Sequence, residues 1–175
     1  MRLLKKQLLI AFFSLMSVMF FCDGQALAAT FSVNSNGAAS DAIINGTCET
    51  APGNNICTLH AAIQEANNAS GSTILFTGQF LITDCSLPPL TAGGTTIDAH
   101  NQWDGGFAYG SPGVSLRHPD SCGAAGTILT IASDNNFIYG LRFVGSSLYK
   151  PTGLEISSGN SNTIGADLSA IPGGT

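Results

Sequence analysis

The stretch Cys57-Thr58-Leu59-His60-Ala61-Ala62-Ile63-Gln64-Glu65-Ala66-Asn67 decides how this chain begins to fold. Its apolar side chains recur at the spacing of a single helix face, at Leu59, Ala62, Ile63 and Ala66. The other side of the same helix carries His60, Gln64, Glu65 and Asn67. The pattern predicts an amphipathic helix of about nine residues whose apolar stripe packs against a core.

Both ends of this helix are marked in the sequence. Thr58 can cap the first turn by accepting a hydrogen bond from the backbone N–H of Ala61, and the Asn67, Asn68 and Gly71 cluster predicts the stop. A helix this short is marginal alone in water, so another element must dock on it. We expect Cys57 to anchor its start.

Residues 1–28 have the layout of a secretory signal peptide. Arg2, Lys5 and Lys6 form the charged front, residues 8–21 the apolar middle, and Ala26-Leu27-Ala28 a small-residue cleavage site. The apolar run of about 14 residues is shorter than the roughly 20 that span a bilayer, which favours a cleaved leader over an uncleaved anchor. We therefore expect a secreted or cell-surface protein with no stable transmembrane segment after cleavage.

The charge of the exported part argues against nucleic acid as a partner. Of the six basic and eleven acidic residues, the leader holds three and one, so the remainder has a net charge of −7. Phosphate backbones require a basic surface, which this composition does not supply.

Four cysteines remain after the leader: Cys48, Cys57, Cys85 and Cys122. In an exported chain an even number predicts disulfide bonds, with three possible connectivities. We favour Cys48 with Cys57 and Cys85 with Cys122, for which loop entropy predicts about 3 and about 4 kcal/mol of stabilisation. Zinc is the alternative, but no Cys-x-x-Cys spacing occurs, and we expect no metal and no cofactor.

After the helix the sequence consists of short, β-branched apolar runs separated by Gly, Asn, Asp, Ser or Pro. These predicted strands cover residues 73–76, 80–83, 95–97, 114–116, 127–131, 137–139, 141–144, 154–156 and 163–164. A sandwich, a barrel and a stacked solenoid all suit such a series, and the irregular spacing favours the solenoid. Hairpin turns of the Asn-Gly type are missing between paired runs, which counts against antiparallel strands. The prediction is an all-β parallel β-helix with a short N-terminal capping helix.

Several segments resemble the N-terminal module of exported bacterial proteins named for a CSLREA motif. The resemblance rests on Phe31-Ser32-Val33-Asn34-Ser35, Cys48, the helix stretch from Cys57 to Asn67, and Ser72-Thr73-Ile74-Leu75-Phe76. Thr58, His60 and Ala61 depart from the motif residues Ser, Arg and Glu, and we place His60 and Ala61 on the outer helix face. The resemblance implies a right-handed parallel β-helix of the pectin-lyase-like type, in the bacterial periplasm or on the outer surface.

The predicted organisation has three parts. Residues 1–28 form the leader, residues 29–71 a strand, disulfide loop and capping helix, and residues 72–175 the parallel coils. No polar cap is evident near Thr175. The last coils fray, another chain covers them, or this is the front part of a longer protein, and we favour the third explanation.

Residues 98–120 interrupt the strand rhythm and hold the candidate ligand-binding side chains: Trp103, Asp104, Tyr109, Arg117 and His118. Trp103 and Tyr109 can stack on sugar rings while Asp104 or Arg117 bonds hydroxyl groups. The alternative is that Trp103 only packs this segment against the strands.

Asp98 and Asp104 are the candidates for a catalytic carboxylate pair. Glycoside hydrolysis requires two carboxyl groups at a defined separation, and sequence spacing in a loop does not define one. The prediction is a non-catalytic exported or cell-surface module with a structural, glycan-binding or adhesion role, whose partner is a polysaccharide or another envelope protein. The alternative is a truncated carbohydrate-active enzyme, either a polysaccharide lyase or a glycoside hydrolase.

Overall fold

A computed structural model describes residues 27–102, 112–123 and 126–165. The helix α1 covers Leu59–Asn68 and confirms the predicted amphipathic segment. The Oγ1 atom of Thr58 accepts a hydrogen bond of 3.1 Å from the N–H of Ala61, as the sequence predicts. The apolar stripe is fully buried and contacts the strands that precede and follow the helix. Docking thus stabilises a helix too short to persist alone.

Residues 41–46 cover part of the polar side of α1 through hydrogen bonds to Gln64 and Glu65, and the placement of Ala61 on an outer face is wrong. Ala61 and Glu65 are both fully buried. The Glu65 carboxylate accepts hydrogen bonds of 2.8 Å from the backbone N–H groups of Asn45 and Gly46. These two charge-assisted bonds compensate for the burial of the carboxylate, which would otherwise be costly.

Within the described residues, ten short strands form three sheets. The first sheet contains β1 (Thr30–Val33), β2 (Thr73–Phe76), β4 (Thr96–Asp98), β7 (Phe137–Tyr139) and β10 (Thr163–Ile164), in that order. The second contains β3 (Phe80–Thr83), β5 (Val114–Arg117) and β8 (Leu141–Val144). The third contains β6 (Thr127–Ala132) and β9 (Thr152–Ser158). The predicted strand segments are therefore confirmed, within one or two residues at their ends.

Every pair of these strands is parallel, in agreement with the argument against hairpins. The chain moves from sheet to sheet and returns to pair with an earlier strand, so neighbours in a sheet are far apart in sequence. In β1, β2, β4, β5 and β7, buried side chains alternate with more exposed ones, which is the period of two expected for a strand with one buried face. The inward residues of all three sheets join the stripe of α1 in one hydrophobic core.

The predicted fold class, an all-β right-handed parallel β-helix, is wrong. The part of the chain that the structure describes consists of short parallel strands in three separate sheets together with one α-helix, which is an α/β type of arrangement. The reason lies in α1, which is not an external cap. Its residues Leu59, Ile63 and Ala66 belong to the same core as the strands, and Glu65 on its polar side is buried under a loop.

Two disulfide bonds join the cysteine pairs that the sequence analysis favours. Cys48 bonds Cys57 with their Cα atoms 5.1 Å apart, next to the start of α1. Cys85 bonds Cys122 with their Cα atoms 5.4 Å apart and ties the end of β3 to the segment after β5. The bonds are compatible with an exported protein, since disulfides persist in oxidising compartments.

Candidate functional site

The outer side of the five-stranded sheet carries two aromatic rings beside a carboxylate. Strands β4 and β7 are paired so that Asp98 lies opposite Tyr139, while Ile97 lies opposite Ile138. The two isoleucines are buried, so their neighbours along each strand point outward. Phe137, two residues before Tyr139, therefore shares the outer side with it.

The rings of Phe137 and Tyr139 stack on each other. Their centroids are 6.2 Å apart and their planes differ by 24°. Phe137 is 37% exposed, although it is a large apolar side chain. The pair forms a flat, partly apolar surface open to solvent, with the phenol hydroxyl as a polar group at one end.

The carboxylate of Asp98 is held by the next turn of the chain. Its Oδ1 atom accepts a hydrogen bond of 3.0 Å from the backbone N–H of His100 and also contacts Nδ1 of the His100 ring. The His100–Gln102 segment is a 3-10 turn, fixed at its far end by a 2.9 Å hydrogen bond from the Gln102 amide to the carbonyl of Phe76. Asp98 and His100 thus form a preorganised pair, of which the imidazole is the more exposed member.

Gly140 allows this turn to pack against the end of β7. Its φ of +68° is strained for any residue with a side chain. A Cβ atom at Gly140 would lie 2.6 Å from the backbone nitrogen of His100. The backbone N–H of Ala99 donates a 3.1 Å hydrogen bond to the carbonyl of Tyr139, next to Gly140. We call Asp98, His100, Phe137 and Tyr139 the aromatic face.

The candidate residues from the sequence are only partly described. Trp103, Asp104 and Tyr109 lie outside the described residues. Arg117 is at the end of β5 in the three-stranded sheet, whereas Asp98 is in the five-stranded sheet. His118 is only 2% exposed. The structure therefore assigns Asp98 and Arg117 to different sheets and places His118 beneath the surface.

Phe137 and Tyr139 were missed as functional candidates. The alternation Phe137-Ile138-Tyr139 contains the necessary information, because one apolar residue between two aromatic residues puts both rings on the same side of a strand. Their position beside Asp98 depends on a pairing between residues 41 positions apart, and no local pattern reveals it.

Asp120 is the described acidic residue whose pKa is shifted most strongly by its surroundings. Hydrogen bonds from the hydroxyls of Ser146 and Ser147 and from the backbone N–H of Leu148 lower its pKa from 3.8 to about 2. The charge of Arg117 acts in the same direction. The donors fasten the segment after β8 to the turn at Asp120–Cys122, which is a structural role.

Across residues 27–102, 112–123 and 126–165, no three His, Cys, Asp or Glu side chains are grouped to hold a metal ion. In the same part of the chain, no helix has the length and apolar character needed to cross a membrane. Comparisons with protein families, with characterised proteins and with solved structures find no match to this chain.

Proposed function

We propose that this protein is an exported module that binds glycans through the aromatic face without cleaving them. The observation that supports the proposal is the exposed stack of Phe137 and Tyr139 beside the fixed Asp98 and His100 pair. The leader sequence and the two disulfide bonds support a secreted or cell-surface location.

The chemistry of a sugar ring suits this arrangement. One side of a pyranose presents C–H groups, which pack on the electron-rich faces of aromatic rings. The hydroxyl groups at the ring edge need hydrogen-bond partners once water is displaced. A carboxylate oxygen of Asp98 accepts from such hydroxyls, and the exposed imidazole of His100 can bond a neighbouring one. The acceptor character of Asp98 favours neutral sugars over acidic ones.

Binding is tested with immobilised neutral polysaccharides and the oxidised chain without its leader. We expect Phe137→Ala and Tyr139→Ala each to weaken binding about tenfold, because an aromatic anchor contributes on the order of 1–2 kcal/mol. Leu148→Ala is the matched control, since Leu148 is 74% exposed and lies outside the aromatic face. Thermal unfolding of each variant checks that the fold is retained.

Two results would contradict the proposal. If Phe137→Ala and Tyr139→Ala bind as tightly as the Leu148→Ala control, the aromatic face takes no part in glycan binding. Release of reducing or unsaturated sugar ends, abolished by Asp98→Asn, would show the alternative function of a carbohydrate-active enzyme.

A further inference from the structure

Three side chains from separate segments meet beside the first turn of α1. Nδ1 of His60 is 3.1 Å from Oδ2 of Asp84, and Nε2 of His60 is 3.4 Å from Oγ of Ser40. Ser40 comes from the loop after β1, and Asp84 directly follows β3. The sequence separations of 20 and 24 residues explain why no local motif predicted this contact.

The order of the groups matches that of a hydroxyl nucleophile activated by a base. Asp84, as the acceptor on Nδ1, favours the tautomer with the proton on that nitrogen. The lone pair of Nε2 then faces Ser40, which can donate its hydroxyl proton. The distance of 3.4 Å is longer than the roughly 2.6–3.2 Å of a working pair, as is common in sites without substrate.

The backbone on both sides of Ser40 is fixed to the helix that carries His60. The carbonyl of Ala39 accepts a 2.6 Å hydrogen bond from the hydroxyl of Thr58. The N–H of Asp41 donates a 2.7 Å hydrogen bond to the side-chain carbonyl of Gln64. Hydrogen bonds thus hold the backbone on both sides of Ser40, although Ser40 lies in a loop.

The other two members are shielded and rigidly placed. The side chains of His60 and Asp84 are 16% and 8% exposed, whereas Ser40 is exposed. The backbone N–H of Asp84 donates a 3.2 Å hydrogen bond to the carbonyl of Arg117. The Asp84 carboxylate accepts a 2.9 Å hydrogen bond from the N–H of Ser86. Ser40 is the most exposed of the three, so a substrate can reach its hydroxyl while His60 and Asp84 stay in position.

We infer that Ser40 is the nucleophile of an acyl-transfer site, with His60 as general base and Asp84 as the residue that positions His60. The Oγ atom attacks an ester carbonyl and passes its proton to Nε2. The bond to the alcohol then breaks, and the alcohol oxygen takes that proton. Water then gives a proton to the same Nε2 and attacks the acyl carbonyl. The bond between that carbon and Oγ breaks, the acyl group leaves as a carboxylic acid, and Nε2 returns the proton to Oγ of Ser40.

The substrate class is an ester of a short acyl group carried on a larger molecule. Ser40 lies on an open surface. Such a surface offers little to enclose a long acyl chain, but it admits an acyl ester that projects from a polymer or from another surface. This activity goes beyond the proposed glycan binding and uses none of the residues of the aromatic face.

The test uses the oxidised chain, a fluorophosphonate probe that phosphonylates activated serines, and 4-nitrophenyl acetate. We expect one phosphonyl group, located on Ser40 by peptide mass spectrometry, and hydrolysis of the acetate beyond one equivalent. His60→Gln and Asp84→Asn should lower the rate of phosphonylation about 100-fold or more, the contribution of a positioned general base. Ser40→Ala should abolish it.

Ser32→Ala is the matched control, because Ser32 is an exposed serine on β1, outside this site. It should leave labelling unchanged. The inference is overturned if the probe does not modify Ser40, or if modification persists at the original rate in a folded His60→Gln variant. Ser40→Ala removes only an exposed side-chain contact, so its melting temperature should equal that of the unmodified chain.

Discussion

Asn136 holds together the turn before β7, and its replacement by Ala provides a quantitative test of the fold. The side chain is fully buried. Its Oδ1 atom accepts a 3.0 Å hydrogen bond from the N–H of Thr95. Its Nδ2 atom donates to the carbonyl of Ser133 at 3.0 Å and to Oδ1 of Asn162 at 2.9 Å. One amide thus connects three successive turns on the same side of the five-stranded sheet.

The cost of Asn136→Ala follows from these bonds. Each buried hydrogen bond contributes about 1 kcal/mol net, and the N–H of Thr95 is left without its acceptor in a buried position. The three bonds alone sum to about 3 kcal/mol of unfolding free energy, which is the minimum expected loss. At about 2–4 °C per kcal/mol for a domain of this size, the melting temperature should fall by about 6–12 °C.

Asn136→Asp tests the direction of the bonds. A carboxylate keeps the acceptor for Thr95 but turns an oxygen, instead of a donor, toward the carbonyl of Ser133 and the oxygen of Asn162. At pH 7 the Asp variant should therefore be at least as unstable as the Ala variant, and it should recover when acid protonates the carboxyl group. Asn101→Ala, at an exposed position, is the control.

The measurement is urea unfolding followed by circular dichroism at pH 7 and pH 4. The reasoning is refuted if Asn136→Ala costs less than about 1 kcal/mol, the value of a single hydrogen bond. It is also refuted if the Asp variant is as stable at pH 7 as the unmodified chain.

Further outcomes follow from other described residues. Thr95→Val should raise the unfolding free energy by about 1 kcal/mol, measured by urea unfolding, because the buried Thr95 hydroxyl has no hydrogen-bond partner among the described residues. The stability that Asp120 contributes, through a pKa held near 2, is present above about pH 4 and lost as the pH falls toward 2. In acid titrations, the difference between Asp120→Asn and the unmodified chain should therefore disappear below pH 2. Gly140→Ala should cost about 1–3 kcal/mol by calorimetry, because its positive φ and the close 3-10 turn exclude a methyl group. Replacing Cys48 and Cys57 with Ser should cost about 3 kcal/mol and slow fluorophosphonate labelling, while glycan binding stays unchanged.

Local periodicity was sufficient to predict α1 and the strand segments after it within the described residues, but not the two 3-10 turns. The i, i+3, i+4, i+7 spacing from Leu59 placed α1, and Thr58 caps it as expected. Short β-branched runs between turn residues placed the strands, which are two to seven residues long. These features depend on neighbours a few positions away, which a sequence displays directly.

The burial of polar residues depended on partners that are distant in sequence. Glu65 has the position of a solvent-facing residue on the helix, yet it is fully buried because two backbone N–H groups of the loop at 45–46 reach its carboxylate. The same covering loop changed the role of α1 from an external cap to part of the core. Polar periodicity shows which side of a helix is polar, but not whether another segment covers it.

The two candidate sites depend on different parts of this architecture. The aromatic face requires the register between β4 and β7, in which Asp98 meets Tyr139. The Ser40 site requires α1, because Thr58 and Gln64 fix the nucleophile's backbone and His60 itself lies in the first helical turn. Loosening the segment around α1 should therefore affect acyl transfer alone, whereas disturbing the β4 and β7 register should affect glycan binding. The separation follows from the topology, since each site is assembled from strands and loops that the other does not use.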